Sequence, residues 1–299
     1  ITLTNLARQT GSTVRFGGEG TLGTTGDNTR VYLGQVNGAA PDATLIGGWA
    51  TITGNNFVGY GANGVFINNG TNQGAAAFTP AAGTVYNLNA SGTATINNEA
   101  DNAAEMLALR FGANAGQTLA FSDANDLLYV GSGGILTDGN NQGRSIGTSS
   151  VRGRITAGLV SGSTGTQELF LHNNSNTLTV HAVIEDNPNG GSPLPVAVVK
   201  DLDGQVNLEA AANSYSGGTF VTRGTLEARA AGTLGSGAVL VKNSQLNLNA
   251  AGTINAASAA GGFTAVDGSR IYLNSTQNYN TTWDRFTIEA GSILGGQSG

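Results

Sequence analysis

The sequence predicts an all-β protein, an elongated parallel β-solenoid with lateral loops, and three observations support this fold class. Short runs with alternating apolar residues recur from one end to the other, including TVRFGG, RVYLGQV, QVNLEA and QLNLNA. Glycine accounts for 47 of 299 residues, whereas charged residues make up only 11%, against about 25% in an average domain. Many runs stand in irregular Gly-x-Leu or Gly-x-Ile settings, typical of coils with one or two inward residues per side.

The abundant Gly, Asn, Thr and Ser residues argue against helices, because they favour turns or lose too much entropy on ordering. With 39% hydrophobic residues, the chain carries more apolar material than a disordered segment usually does. A sandwich or barrel is the alternative fold, since Asn-Gly and Asp-Gly pairs can close tight hairpins. These pairs begin at Asn37, Asn63, Asn69, Asp138, Asp203 and Asp267.

The strand spacing predicts the size of the rod and its irregular segments. Coils of roughly 20 to 25 residues would give on the order of 12 to 15 coils and a length of about 60 to 70 Å. Asn-rich runs at 87–90, 173–176 and 246–250 would stack as amide ladders between coils. Residues 97–112, NNEADNAAEMLALRFG, predict a lateral loop or about two helical turns. Residues 187–195 hold three of the five prolines and predict a loop.

The composition argues against several classes of function. The net charge is -6, and the 13 basic residues form no basic stripe, so nucleic-acid binding is not expected. The absence of cysteine excludes disulfides and thiolate metal sites. No apolar run approaches the roughly 18 residues of a membrane span, and no signal-peptide pattern is present. Because the chain begins within a strand-like ITLTN, we expect a processed protein or a piece of a longer one.

Residues 196–252 carry a longer motif, VAVVKDLDGQVNLEAAANSYSGGTFVTRGTLEARAAGTLGSGAVLVKNSQLNLNAAG. This block resembles the autotransporter-associated β-strand repeat of bacterial surface proteins. The matching positions are Lys200, Asn213, Tyr215 to Gly218, Gly224 to Leu226 and Leu234 to Gly237. Asp203 and Gln205 depart from the repeat pattern, which has Gly and the start of a Gly-Thr-Leu at those places.

The resemblance implies a right-handed parallel β-helix that is exported to the bacterial cell surface. It implies no catalytic residue, because the repeat is structural. Less sharply matched stretches, such as LLYVGSGGILTDG and ELFLHNNSNTLTVHAVIEDN, extend the likeness over most of the chain. We therefore expect residues 1–299 to form a single β-solenoid segment, as one unit of a longer repetitive array, with 196–252 as its best-matched repeat.

A few residues are candidates for metal binding. Asp201 and Asp203 in DLDG, with Asp186 in the preceding loop, offer oxygen ligands to calcium. DLDG lacks the later acidic ligand of a calcium loop, so an ordinary Asp-Gly turn is the competing interpretation. His172 and His181 lie on adjoining predicted strands, but a zinc site needs three or four ligands and no third is evident.

The best candidate for a ligand-facing patch is GGWATITGNNFVGYG, which concentrates Trp49, Phe57 and Tyr60. Core packing is the competing interpretation of these aromatic side chains. Three arginines flank a Ser/Gly-rich turn and offer contacts to acidic glycans. They are Arg144, Arg152 and Arg154.

These observations predict a non-catalytic extracellular structural protein without a cofactor, forming a rod in a surface fibre, filament or sheath. Exposed coil ends are templates for strand addition, so we expect self-association with neighbouring solenoid units, head to tail. A glycan-binding adhesin, with surface glycans as partners, is the first alternative. A β-helical polysaccharide-degrading enzyme is the second, and it would need two carboxylates about 5 to 9.5 Å apart.

Overall fold

The computed structural model describes residues 1–97, 103–211, 213–230, 233–249, 261–274 and 286–297. These ranges hold 28 β-strands and a single 3₁₀ turn at Asn189–Gly191, inside the predicted loop, and no α-helix. No helix long and apolar enough to cross a membrane occurs in them. The predicted all-β class is confirmed.

Two long sheets, in which every neighbouring pair of strands is parallel, dominate the structure. The twelve-stranded sheet contains β7 (Thr71–Gln73), β9 (Val85–Leu88), β11 (Ala103–Phe111), β13 (Leu127–Thr137), β15 (Arg154–Ala157), β16 (Gln167–Asn173), β18 (Val183–Ile184), β19 (Val196–Asp201), β21 (Thr219–Val221), β23 (Val239–Lys242), β25 (Phe263–Val266) and β27 (Phe286–Ile288). The ten-stranded sheet contains β8 (Ala77–Phe78), β10 (Gly92–Ile96), β12 (Gln117–Phe121), β14 (Arg144–Ile146), β17 (Thr177–Val180), β20 (Gln205–Leu208), β22 (Thr225–Ala228), β24 (Gln245–Leu248), β26 (Arg270–Asn274) and β28 (Ile293–Gln297).

Successive strands from β7 onwards alternate between the two sheets, apart from β15 and β18. Each return of the chain therefore adds one strand beside its predecessor. Gln205, Thr225 and Gln245 align in register at equal intervals along the chain, whereas Arg144 aligns with Leu178 after a longer return. At about 4.8 Å per strand, the ten-stranded sheet extends about 43 Å. This is shorter than expected, because lateral loops lengthen some repeats and positions 1–68 are used elsewhere.

The segment predicted as a loop or short helix is a strand within the described residues. β11 pairs in parallel with β9 on one side and with β13 on the other. Met106, Leu109 and Phe111 are fully buried, so pairing and burial override the helix propensity of the Ala/Glu/Leu run. A register shift between Met106 and Ala108 marks a bulge; beyond it, β13 pairs with β16 in place of β15. Residues 98–102 of the predicted segment lie outside the described ranges.

The core lies between the two long sheets and consists of rows that run across the strands. One such row aligns Val206, Leu226, Leu246 and Ile271, and all four side chains are fully buried. Rows of this kind follow from period-two alternation on stacked parallel strands.

The outer faces of the two sheets differ in polarity. On the ten-stranded sheet the outward row includes Asn207, Glu227 and Asn247, which alternate with the core positions. On the twelve-stranded sheet the corresponding outward row is apolar or small. It consists of Val85, Ala108, Gly134, Phe170, Val199 and Phe220.

Residues 1–68 cover this apolar face, and we refer to them as the N-terminal layer. Its strands are β1 (Thr2–Leu6), β2 (Val14–Phe16), β3 (Tyr32–Val36), β4 (Ala50–Ile52), β5 (Asn56–Gly61) and β6 (Gly64–Asn68). They form a parallel pair and a four-stranded sheet that contains an antiparallel hairpin. Layer residues such as Trp49 and Val58 share one buried cluster with Phe170 and Val199.

The N-terminal layer departs from the expected succession of coils. Its strands occur where the sequence predicts strands, but they do not join the long sheets. Two of the predicted tight turns, at Asn37-Gly38 and Asn63-Gly64, lie between antiparallel partners here. The physical reason is the apolar outer row: burying one such side chain contributes about 1.5 to 3 kcal/mol, and it needs a covering layer.

Two glycines allow the layer to approach the sheet closely. A Cβ added at Gly134 would lie 2.8 Å from Gly48 Cα and 2.8 Å from Phe57 Cε1. Neither Gly134 nor Gly48 has a left-handed backbone, so the need for glycine is one of space.

We predict that Gly134→Ala destabilises the protein by about 1 to 3 kcal/mol, because the methyl group overpacks the joint. Urea denaturation measures the change. Gly143→Ala is the matched control, since a Cβ there meets nothing within 4 Å. Equal stability of Gly134→Ala and this control would contradict the close approach.

Candidate functional site

Residues of the repeat-like motif make hydrogen bonds from one coil to the next. Lys200 is fully buried, and its Nζ donates to the carbonyls of Asp201 (3.0 Å), Leu202 (2.6 Å) and Arg223 (2.9 Å). The first two carbonyls belong to its own corner, where Leu202 is left-handed (φ 66°). The third belongs to the corner of the following coil. A single ammonium group thus joins two successive corners.

Asn213 plays the same part at a second corner of the coil. Its Oδ1 accepts the backbone N–H of Ile184 from the preceding coil (2.8 Å), and its Nδ2 donates to the carbonyl of Thr233 in the following coil (2.9 Å). Nearby, the fully buried Tyr215 hydroxyl lies 2.8 Å from Thr219 Oγ1. The motif without reactive groups is therefore a set of links between coils.

Other corners use different side chains for the same bond. Ser244 donates to Val221 O (2.6 Å) and Ser269 donates to Val241 O (2.9 Å). Asn173 donates to Gln205 O of the next coil (2.6 Å). The amide ladder expected near residue 87 is present, with Asn87 Nδ2 donating to Asn72 Oδ1 (2.8 Å). At 173–176 the amide caps a corner, and Asn247 accepts from Gln245 of its own strand.

We predict that Asn213→Ala lowers the free energy of unfolding by about 2 to 4 kcal/mol, because it leaves a buried N–H and a buried carbonyl without partners. Equilibrium urea denaturation is the measurement. Thr93→Ala, on the exposed outer row of the ten-stranded sheet, removes a polar side chain without this loss and should change stability by less than about 0.5 kcal/mol.

Burial lowers the pKa of Lys200 to about 7, while the carboxylates of Asp201 and Asp203 act in the opposite direction. In the unfolded chain the same amine titrates near a pKa of about 10.4. Between these two values the unfolded chain binds more protons, so stability rises with pH. Below about pH 7 both states are protonated and the dependence ends.

We predict that Lys200→Met removes a rise in stability between about pH 7 and 10, with a slope of at most about 1.4 kcal/mol per pH unit. Urea denaturation of both proteins across this range measures it as a difference, which cancels titrations common to both. Parallel stability curves for the two proteins would rule out a neutralised buried lysine.

A buried histidine joins the N-terminal layer to the twelve-stranded sheet. His172 Nε2 donates to Gly48 O (2.8 Å), and its ring stacks on Phe170 with centroids 5.9 Å apart. Nδ1 faces Asp201 Oδ2 at 3.4 Å. Burial favours the neutral form of Asp201, but the hydrogen bond and charge of His172 outweigh it and hold the pKa of this carboxyl below its usual range.

The calcium candidates do not come together. Asp201 is buried against His172, whereas the more exposed Asp203 accepts from Arg223 Nε (2.5 Å). Asp186 accepts the backbone N–H groups of Val196 and Ser216, each at 2.8 Å. Within the described residues, no three His, Cys, Asp or Glu side chains could jointly hold a metal ion. Each carboxylate is already engaged in a turn, a joint or an ion pair.

The aromatic patch predicted around residues 49–60 is instead part of the joint. Phe57 is fully buried, and Tyr60 accepts the backbone N–H of Leu33 at its hydroxyl (3.0 Å). Trp49 is only 5% exposed, yet it lines a cavity of about 230 Å³ between the layer and the sheet. A ligand-facing role is therefore contradicted for Phe57, and Trp49 alone of the three lines this cavity.

The cavity wall combines an ion pair with polar and aromatic side chains. Arg8 lies over the rings of Trp49 (5.5 Å) and Phe170 (5.3 Å) and forms a two-pronged ion pair with Glu168. Ser132, Gln167 and several glycines complete the wall. No local signal in the sequence singles out Arg8, Glu168 or Gln167, because Arg8 lies far along the chain from the other two.

The remaining candidates serve the framework. Arg144 is buried and donates to Ala113 O (2.6 Å). Arg152 donates to Glu209 O (2.8 Å), and Arg154 pairs with Glu185 (3.1 Å). Burial lowers the pKa of His181, which lies beside Arg152 and Glu209. The three arginines bond to separate partners and do not form one binding surface.

The last strands of the long sheets leave core positions uncovered. β27 and β28 pair on one side only. Leu294 aligns with the buried Ile271 and is 41% exposed, and Ile288 aligns with the buried Ala265 and is 36% exposed. At the opposite end, the outermost strand β7 exposes Thr71 and Asn72.

Comparison of the chain with protein-family models, with curated proteins and with solved structures found no significant match. The resemblance to the autotransporter-associated repeat therefore stays a prediction made from the motif.

Proposed function

We propose that this chain is a non-catalytic structural protein, a right-handed parallel β-solenoid that serves as a rod and accepts further coils at its ends. The observation that carries the proposal is the uncovered inner row at the last strands. Leu294 and Ile288 continue buried core rows but have no following coil. An unpaired strand edge next to exposed apolar residues is a template for another strand.

The bonds between coils support the same proposal. Lys200 and Asn213 each link neighbouring coils through buried groups, so a stack gains internal bonds with every coil that is added. These side chains spend their polar groups on backbone partners. Chemistry of this kind suits a spacer or fibre segment rather than a catalyst.

We infer that the neighbouring unit is a second solenoid of the same kind, stacked head to tail. Heterologous contacts of this sort extend into open filaments. The low charge content, the absence of cysteine and the motif resemblance together support a place outside the cell, at a bacterial surface.

The decisive experiment is electron microscopy of the purified chain over a range of concentrations, with light scattering to follow assembly. We predict concentration-dependent rods or filaments for the natural chain. Leu294→Asp should abolish them, because it buries a carboxylate in the core row of the junction.

Ile293→Asp is the matched control. Ile293 is 45% exposed but aligns with Arg270 on the outward row, so its substitution leaves the core row unchanged and assembly should persist. Isolated particles at every concentration would overturn end-to-end association. Equal loss of assembly in both variants would assign the contact to the outer surface instead of the core row.

A further inference from the structure

We propose that the cavity at the joint is a binding site for one neutral sugar residue. This goes beyond the structural role, because a rod needs no cavity in its covering layer. With a volume of about 230 Å³, the cavity is smaller than the roughly 300 to 1,000 Å³ clefts that take drug-sized ligands. It therefore suits a single ring and not a long chain.

The charges of the wall cancel within the wall. Glu168 accepts from Arg8 through both carboxylate oxygens and also from the backbone N–H of Gly11 (2.6 Å). The side chains of Arg8 and Glu168 are only 13% and 8% exposed. A site with an internally paired cation and anion has no net charge to offer, so it favours a neutral ligand over an acidic one.

The wall also holds hydrogen-bonding groups that have no partner in the described part of the chain. Gln167 donates its amide hydrogens to Thr164 O (2.8 Å) and Gly165 O (3.2 Å), which leaves Oε1 as an acceptor. The indole Nε1–H of Trp49 is a donor, and no protein acceptor within the described ranges takes it. A donor and an acceptor side by side match the hydroxyl groups of a sugar, each of which both donates and accepts.

Glycines create the room around these two groups. A Cβ at Gly158, which has φ +91°, would lie 2.7 Å from Gln167 Oε1, and a Cβ at Gly47 would overlap Trp49 Nε1. Both glycines line the cavity. The free donor and acceptor therefore lie against backbone that carries no side chain. The aromatic groups of Trp49 and Phe170 in the same wall offer apolar surface to the C–H groups of a sugar ring.

The test is calorimetric titration of the full chain with neutral monosaccharides (glucose, galactose, mannose and N-acetylglucosamine) and, in parallel, with glucuronate and galacturonate. We expect saturable binding of at least one neutral sugar and weaker binding of both acids. Trp49→Phe should weaken binding about five- to tenfold, because it removes one donor and keeps an aromatic ring.

Tyr60→Phe is the control, because it removes a polar group of the same layer outside the cavity wall and should leave binding unchanged. A second variant keeps the proposal testable if Trp49→Phe loosens the layer. Glu168→Gln leaves Arg8 uncompensated and should shift the preference towards the acidic sugars, in protein whose circular dichroism matches that of the natural chain. Absence of saturable binding by every neutral sugar, or tighter binding of the acids by the natural chain, would overturn the proposal.

Discussion

The structure depends on the satisfaction of backbone groups at the corners between strands. Parallel pairing satisfies the strands themselves, but each corner turns carbonyls towards the interior, where an unpaired polar group costs about 1 to 3 kcal/mol. Lys200, Asn213, Ser244 and Ser269 fill this need with side-chain donors that reach the neighbouring coil. The corners therefore set the sequence more strictly than the strands do, which explains why polar residues recur at the ends of short apolar runs.

The sequence was sufficient for the strands and the parallel stacking, because alternation and corner glycines are local signals. It was insufficient for the N-terminal layer, whose position depends on the outer face of a distant sheet. One signal was available: VAVV at 196–199 is apolar at successive positions, as expected for a strand buried on both faces, whereas QVNL at 205–208 alternates. The helical interpretation of 103–111 failed because pairing on both sides outweighs a propensity of tenths of a kcal/mol per residue.

The candidate cavity shows the same limit of local reasoning. Trp49 stands out in the sequence as one of two tryptophans, but its partners Arg8, Gln167 and Glu168 become neighbours only when the layer folds onto the sheet. The acidic pair Asp201 and Asp203 looked like metal ligands because they are close in sequence. The corner between them, however, gives them different surroundings, and Asp201 is taken by His172 of the preceding coil.

The parallel arrangement has a consequence for growth. Since every strand of the long sheets runs the same way, the two ends of the stack are chemically distinct: Thr71 and Asn72 are exposed at one, Ile288 and Leu294 at the other. Two identical ends cannot meet and continue the parallel pairing, because one chain would have to run backwards. Any fibre made by stacking such units is vectorial, so its tip and its base differ along its whole length, and a surface that anchors one end determines which face every later unit presents outward.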